Sequence, residues 1–426
     1  MRCEQIALSG DPQRLAAALR DLIPTGASVA ETVTEIIVQV RTQGDRAVID
    51  YTRRFDTAGA EPRALQVVDV ELEVARRRLA PAIAQGLEAA IGNVRAVAEA
   101  GLRDERAVVF DDHEVTLREV AVERAAVYVP GGRAPYPSTV VMGVVVARVA
   151  GVPDVAVCAP PGPDSEVNEV VLAACQMAGV SRVYRMGGAQ AIAALAYGTE
   201  TVAAVDVIVG PGSLYVQEAK RQVYGQVGID GFAGPSDLVV IADAGTDPRP
   251  LALDLLAQAE HGSGTLVIAI STSSELLDAL AAPIAAAPER GAAARLVEVA
   301  DLEQALQLAQ AFAPEHLELI GEQAEGLALR ATHAGCVFVG AGAATAFGDY
   351  IAGSNHVLPT GGAARFASAL SPRHFRRGFS LVRITALGAE RLARMAGPVA
   401  RAEGFEVHAQ SMEARIRENG GDVAHG

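Results

Sequence analysis

Paired cysteines are missing from this chain: Cys3, Cys158, Cys175 and Cys336 stand far apart with no CxxC spacing. That gives neither a disulfide framework nor a cysteine zinc knuckle, so reduced thiols are expected. Long apolar runs are missing too. The longest, Val140 to Val152, is interrupted by Arg148 and falls short of the ~18 residues of a membrane helix. Met1 to Leu15 lacks the apolar core of a signal peptide. A soluble, cytoplasmic protein with no membrane partner is expected. Positive charge is scarce: 36 Lys plus Arg face 51 Asp plus Glu, a formal charge of -15. Such a surface disfavours adhesion to nucleic acid or acidic lipid, and a small-molecule substrate fits better.

What is present is apolar mass and periodicity. A chain of 426 residues, 50% of them hydrophobic, can bury sizeable cores and exceeds one domain on the usual scale. From Asp11 to about Glu105 the pattern is helical, as in Leu79 to Ala98, with a strand-like interruption at Leu65 to Val70. From Ala125 short apolar runs alternate with helix-period segments. The runs are Ala126–Val129, Val155–Cys158, Arg182–Met186, Val207–Val209, Leu238–Ile241, Leu266–Ile270 and Cys336–Val339. This alternation predicts α/β architecture with parallel sheets covered on both faces. It falls into two blocks, about 125 to 236 and 237 to 360. The end of the chain returns to a polar helix, Ala389 to Glu403, then a strand-like Phe405 to His408 and a short helix.

Several residues carry possible chemistry. Cys336–Val339 followed by Gly340-Ala-Gly342 imitates a dinucleotide fingerprint, but the third glycine and the distant acid are absent. Better phosphate loops are Tyr128-Val-Pro-Gly-Gly132, Gly187-Gly188-Ala-Gln190 and Gly210-Pro-Gly212-Ser213, each between a strand and a helix, where free N–H groups favour anions. Taken singly, each is better explained as a tight βα turn; three in one block suggest a nucleotide cleft. Gln258 and His261 share the end of one helix that Gly262 would stop. On these two alone, a partner for the helix dipole is the better reading. Pro314 is placed to open a helix carrying Glu315 and His316, an acid/base pair suited to moving protons near neutral pH. Asp349 and His356 bracket a loop rich in Gly, Ser and Asn, and His408 follows Phe405, where a half-buried histidine is the plain alternative. Cys158 has no basic neighbour to activate it and reads as an inert thiol.

Taken together these stretches resemble histidinol dehydrogenases, from about Ala30 to the C-terminus. The segments that carry the resemblance are Tyr128-Val-Pro-Gly-Gly-Arg-Ala-Pro135, Gly187-Gly-Ala-Gln-Ala-Ile-Ala-Ala194, Ala233-Gly-Pro-Ser236 and Gln258-Ala-Glu-His261. Pro314-Glu-His-Leu-Glu318, Gly348-Asp-Tyr350, Asn355-His-Val-Leu-Pro359 and Glu403 to His408 complete the set. The resemblance implies a homodimer of subunits with two Rossmann-like, doubly wound domains that lack the glycine fingerprint. An N-terminal helical arm and the start of the first such domain would occupy 1–124, and the second, NAD-binding domain 125–236. The rest of the first would occupy 237–375, and a small C-terminal dimerisation domain 376–426.

By the same resemblance, Gln258, His261, Asp349 and the partner's His408 would hold one zinc ion per subunit. Ser236, His356 and Glu403 would meet substrate together with those ligands and His316, while Tyr128, Gln190 and Ser213 would contact NAD. The implied reaction is oxidation of L-histidinol to L-histidine through an aldehyde, with two NAD consumed. His316 would take the hydroxyl proton and Glu315 would activate water. Ser213 and Gly143 stand where the family usually has asparagine, and Val115–Ala126 diverges from its pattern; these departures bear on NAD affinity. Three rivals remain: a relative oxidising another small alcohol such as a sulfonated diol, a zinc hydrolase, and an inactive zinc- and nucleotide-binding protein.

Overall fold

The computed structural model describes every residue except 24–28, 132–133, 181, 233 and 418–426. Gly132, Arg133 and Ala233 of the motifs above therefore lie outside the described residues. Among those described, fourteen strands form three sheets. In chain order they are β1 (Arg2–Ala7), β2 (Arg106–Val109), β3 (His113–Ala121), β4 (Arg124–Tyr128), β5 (Asp154–Ala159), β6 (Arg182–Arg185) and β7 (Val207–Val209). There follow β8 (Gly228–Ile229), β9 (Asp237–Ala242), β10 (Leu266–Ser271), β11 (Ala293–Glu298), β12 (His316–Ile320), β13 (Cys336–Val339) and β14 (Arg376–Ile384).

Two compact units result, one made of Met1–Leu102 with Val122–Phe375, the other of Arg103–Ala121 with the chain from Arg376. The larger unit holds two open parallel sheets, β1-β11-β10-β9-β12-β13 and β6-β5-β4-β7-β8. Every residue of β9, β10 and β12 is buried, as parallel strands covered by helices on both faces must be. On one face of the first sheet Leu251, Leu255, Leu277 and Leu280 pack on Val240 and Val267. On the other, Leu19, Leu306 and Phe312 pack on Val239 and Ile268. Each such side chain contributes about 1.5–3 kcal/mol by leaving water.

The second sheet is covered on one face by the helices Ala30–Gln43, Gly188–Tyr197 and Leu214–Val223, through Val33, Ile36, Ile192 and Val216. Of the strand-like Leu65–Val70 only the first part lies along β6, where Gln66 bridges Tyr184 and Val67 N donates to Val183 O at 2.8 Å; Asp69 and Val70 open the helix Asp69–Arg78. The smaller unit is an antiparallel sheet, β14-β3-β2, with the helices Ala386–Ala402 and Glu406–Glu413. Phe405–His408, expected as a strand, instead leads into that last helix. Its lone apolar run has no neighbouring strand to pair with, and Glu406 in the first turn favours the helix.

Candidate active site

In the first sheet the chain turns from β9 towards β10 and β11 on one side and towards β12 and β13 on the other. Open α/β sheets usually bind ligands beyond the carboxyl ends at such a switch point. Here Asp243 fills that end: its carboxylate accepts from Gln323 N at 2.9 Å and Ala324 N at 3.1 Å. The chemistry-bearing side chains gather at the opposite, amino edge. Ser236 and Asp237 start β9, and His316 starts β12 in register with Leu238.

Pro314 does not open a helix. The helix Leu302–Phe312 ends at Ala313, whose φ of +50° sends the chain sideways into β12. Pairing of His316 with both Leu238 and Cys336 then outweighs the helical preference of the preceding residues. Glu315 N donates to Asp237 Oδ1 at 2.7 Å, and Asp237 N returns a bond to Glu315 Oε2 at 3.2 Å. Ser236 Oγ donates to the same carboxylate and accepts from Gln258 Nε2 at 2.5 Å. That bond fixes which end of the Gln258 amide is oxygen.

His316 lies between two acids, with Nδ1 3.7 Å from Glu315 Oε2 and Nε2 3.8 Å from Asp349 Oδ1. Asp349 comes from the helix Thr345–Tyr350, and its backbone carbonyl meets His356 Nδ1 at 3.0 Å. Thr139 Oγ1 meets the other nitrogen of His356 at 3.2 Å, which ties this edge to the helix after β4. His261 follows the helix Pro248–Ala259 with one edge exposed. The structure thus brings Ser236, Gln258, Glu315, His316, Asp349 and His356 into one contiguous cluster, with His261 close enough to His316 to feel its charge. Glu403 and His408 belong to the smaller unit, where both are exposed, so the half-buried reading of His408 does not hold.

Burial dominates the electrostatics. It pushes the Glu315 carboxyl up to about 8, helped by Asp237 and resisted by the Ser236 bond. It pushes Asp349 up to about 6 against the pull of His316. The imidazoles of His316 and His261 are held below their ordinary value by desolvation, and His356 is lowered to about 4 for the same reason. These rings are therefore neutral near pH 7, the form that accepts a proton or ligates a cation. Cys158 is fully buried and its thiol is pushed far up, as expected of an inert group.

A cleft of about 1600 Å³ opens at the carboxyl edge of the second sheet, lined among others by Tyr128, Gly131, Pro160, Gln190 and Ser213. Tyr128 Oη accepts from Gly188 N at 3.1 Å, where the helix Gly188–Tyr197 begins. Ser213 is the exposed cap residue of the helix Leu214–Val223 and makes no side-chain cap bond. Gly143 has a local reason: a Cβ there would lie 2.5 Å from Val127 Cγ1, so any side chain would collide with the valine. The sequence alone did not point to Asp237, Thr139 or Asp56, the last a cleft-lining carboxylate that accepts from Gln190 Nε2 at 3.4 Å. An acid opening an apolar run was a usable signal for Asp237; nothing marked the other two.

A family model described as histidinol dehydrogenase matches residues 24–416. The chain belongs to the histidinol dehydrogenase family. Relatives of that name from Pseudomonas aeruginosa and Pseudomonas syringae pv. syringae are 45% and 44% identical, covering 91% of this chain and 91% and 90% of theirs. The crystal structure of histidinol dehydrogenase from Elizabethkingia anophelis superposes with a TM-score of 0.89 at 28% identity, covering 98% of both chains. As a histidinol dehydrogenase family member the chain is an oxidoreductase, and its two parallel sheets without a glycine fingerprint are the fold the resemblance implied. No helix among the described residues is long and apolar enough to cross a membrane.

Proposed function

We propose that this enzyme oxidises L-histidinol to L-histidine in two steps through a bound aldehyde, as a cytoplasmic homodimer with shared active sites. The alcohol carbon loses two hydrides to two NAD, and water supplies the second oxygen of the product carboxylate. The observation that carries this reading is a neutral His316 set between the buried Glu315 carboxyl and the half-buried Asp349 carboxylate. His316 takes the hydroxyl proton as the first hydride leaves. Glu315, once ionised, takes a proton from the water that adds to the aldehyde. Ser236 holds Glu315 and Gln258 in register, and His356 and Ser236 face the substrate.

Gln258, His261 and Asp349 suit zinc as a donor set of amide oxygen, neutral imidazole and carboxylate. Asp349 is held near 6 by burial, a carboxyl that a neighbouring cation would return to its charged form. In this reading His408 of the partner subunit completes the set. When bound, zinc would supply a template that orients an alcohol bearing an imidazole and an amine. Tyr128, Gln190 and Ser213 would hold NAD, and Glu403 of the partner subunit would meet the substrate amine. Exposed Leu387, Met395, Val399 and Val407 on the two helices of the smaller unit support burial against a second copy.

A sulfonated alcohol would require a cationic side chain at the substrate. The cluster offers hydroxyl, amide, imidazole and carboxylate groups, and the guanidinium of Arg20 is spent on Asp237. The test is NADH yield per L-histidinol before and after chelation. Two NADH are expected, with loss on chelation and return with zinc; product without NADH would favour the hydrolase.

A further inference from the structure

Behind Glu315 stands a side chain from far away in sequence. Arg20 ends the helix Pro12–Arg20, outside the segment 24–416 that the family model matches. Its Nη1 lies 2.5 Å from Asp237 Oδ2, a carboxylate with no exposed side-chain surface. Its Nη2 donates to Phe312 O at 2.6 Å and Ala313 O at 2.9 Å, and Nε to Phe312 O at 3.1 Å. The guanidinium carbon also sits 3.5 Å from the centre of the Phe312 ring.

These contacts converge on one short turn. Ala313 holds a left-handed φ of +50° that a residue with a Cβ rarely adopts. Two residues later the chain delivers Glu315, whose N–H is taken by the other oxygen of Asp237. The two carbonyls flanking the strained residue and the carboxylate that receives Glu315 thus share one cation. A lysine could bond only part of this set, because its donors leave from a single atom.

We propose that Arg20 is a positioning residue for Glu315, acting through Asp237 and the Phe312–Ala313 turn. This rests on the reading of Glu315 as the group that activates water. Arg20 touches no reacting atom; it sets where the Glu315 carboxylate stands. Its loss is expected to fall on the second oxidation, which needs the water, more than on the first, because His316 meets Asp237 only through the backbone carbonyl, with Nδ1 at 3.4 Å.

The experiment is rapid-mixing NADH formation by the full-length enzyme with L-histidinol, comparing wild type with Arg20→Met, Arg20→Lys and Glu315→Gln. Arg20→Met is expected to give a first NADH per site at near wild-type rate and a second at least tenfold slower. KM for histidinol should stay within threefold, and Arg20→Lys should fall between. Restoration of the second phase by added guanidinium ion supports the assignment and also guards against simple misfolding. Equal slowing of both phases, or no slowing of either, in both Arg20 variants overturns it. If Glu315→Gln leaves the second phase intact, the role of Glu315 is wrong and the proposal fails with it. If only Glu315→Gln slows that phase, Arg20 alone is misassigned.

Discussion

Glu318 shows what burial does to a carboxyl that catalysis does not use. Thr345 N and Oγ1 both donate to its Oε1, while Oε2 is buried without a partner among the described residues. Desolvation pushes the group up to about 7 from 4.5. The unfolded chain then gives up this proton near 4.5 and the folded chain only near 7. Stability from this group is present below the lower value and is lost as pH rises through the upper one. Glu318→Gln keeps an acceptor for Thr345 and removes the titration. Its melting temperature relative to wild type is expected to rise between pH 5 and pH 8; a constant difference across that range would contradict the assignment. At the site itself, His316→Asn and Glu315→Gln should each retain the fold and lower kcat by about 10²–10⁴, the usual worth of a positioned proton-transfer group. Steady-state NADH formation checks both, and full activity in either variant removes its role.

At the scale of elements, the loop Gly210–Ser213 borders, through Ser213, the cleft proposed to hold NAD. Gly210 has φ +115°, and a Cβ there would stand 2.1 Å from Tyr128 O. Its N–H is held by Asp230, which also pairs with the buried Lys220. Gly210→Ala must move this loop, so stability is expected to fall by about 1–3 kcal/mol and KM for NAD to rise more than KM for histidinol. Denaturant titration and initial rates test this; unchanged KM for NAD would uncouple the loop from the cofactor. The apolar runs that became β5, β7, β9 and β10 were legible because both their faces are covered. β12 was hidden: His316 and Glu318 interrupt its apolar pattern, and both are buried by polar contacts that only the folded chain supplies. β1 was hidden because its side chains alternate towards solvent on an edge. The cluster around His316 became readable through its resemblance to a family, whereas Arg20 and Thr139 carried no local signal, since their partners lie hundreds of residues away.

Over the whole molecule, the proposal of sites shared between subunits has a numerical consequence. In a mixed dimer of His408→Ala and His261→Ala chains, one site loses both ligands and the other regains them all. Random pairing makes half the dimers mixed, so about a quarter of wild-type activity should return on mixing two inactive parents. Complete absence of rescue after verified subunit exchange would argue that each site is built from one chain. The placement of the cluster at the amino edge of the first sheet leaves the opposite edge outside the proposed site. There the turn after β9 presents an exposed Gly245 with nothing within 4 Å of its missing Cβ. A fluorophore, affinity handle or surface tether joined at that turn should leave turnover at its native value, which makes it the natural point for immobilising the enzyme.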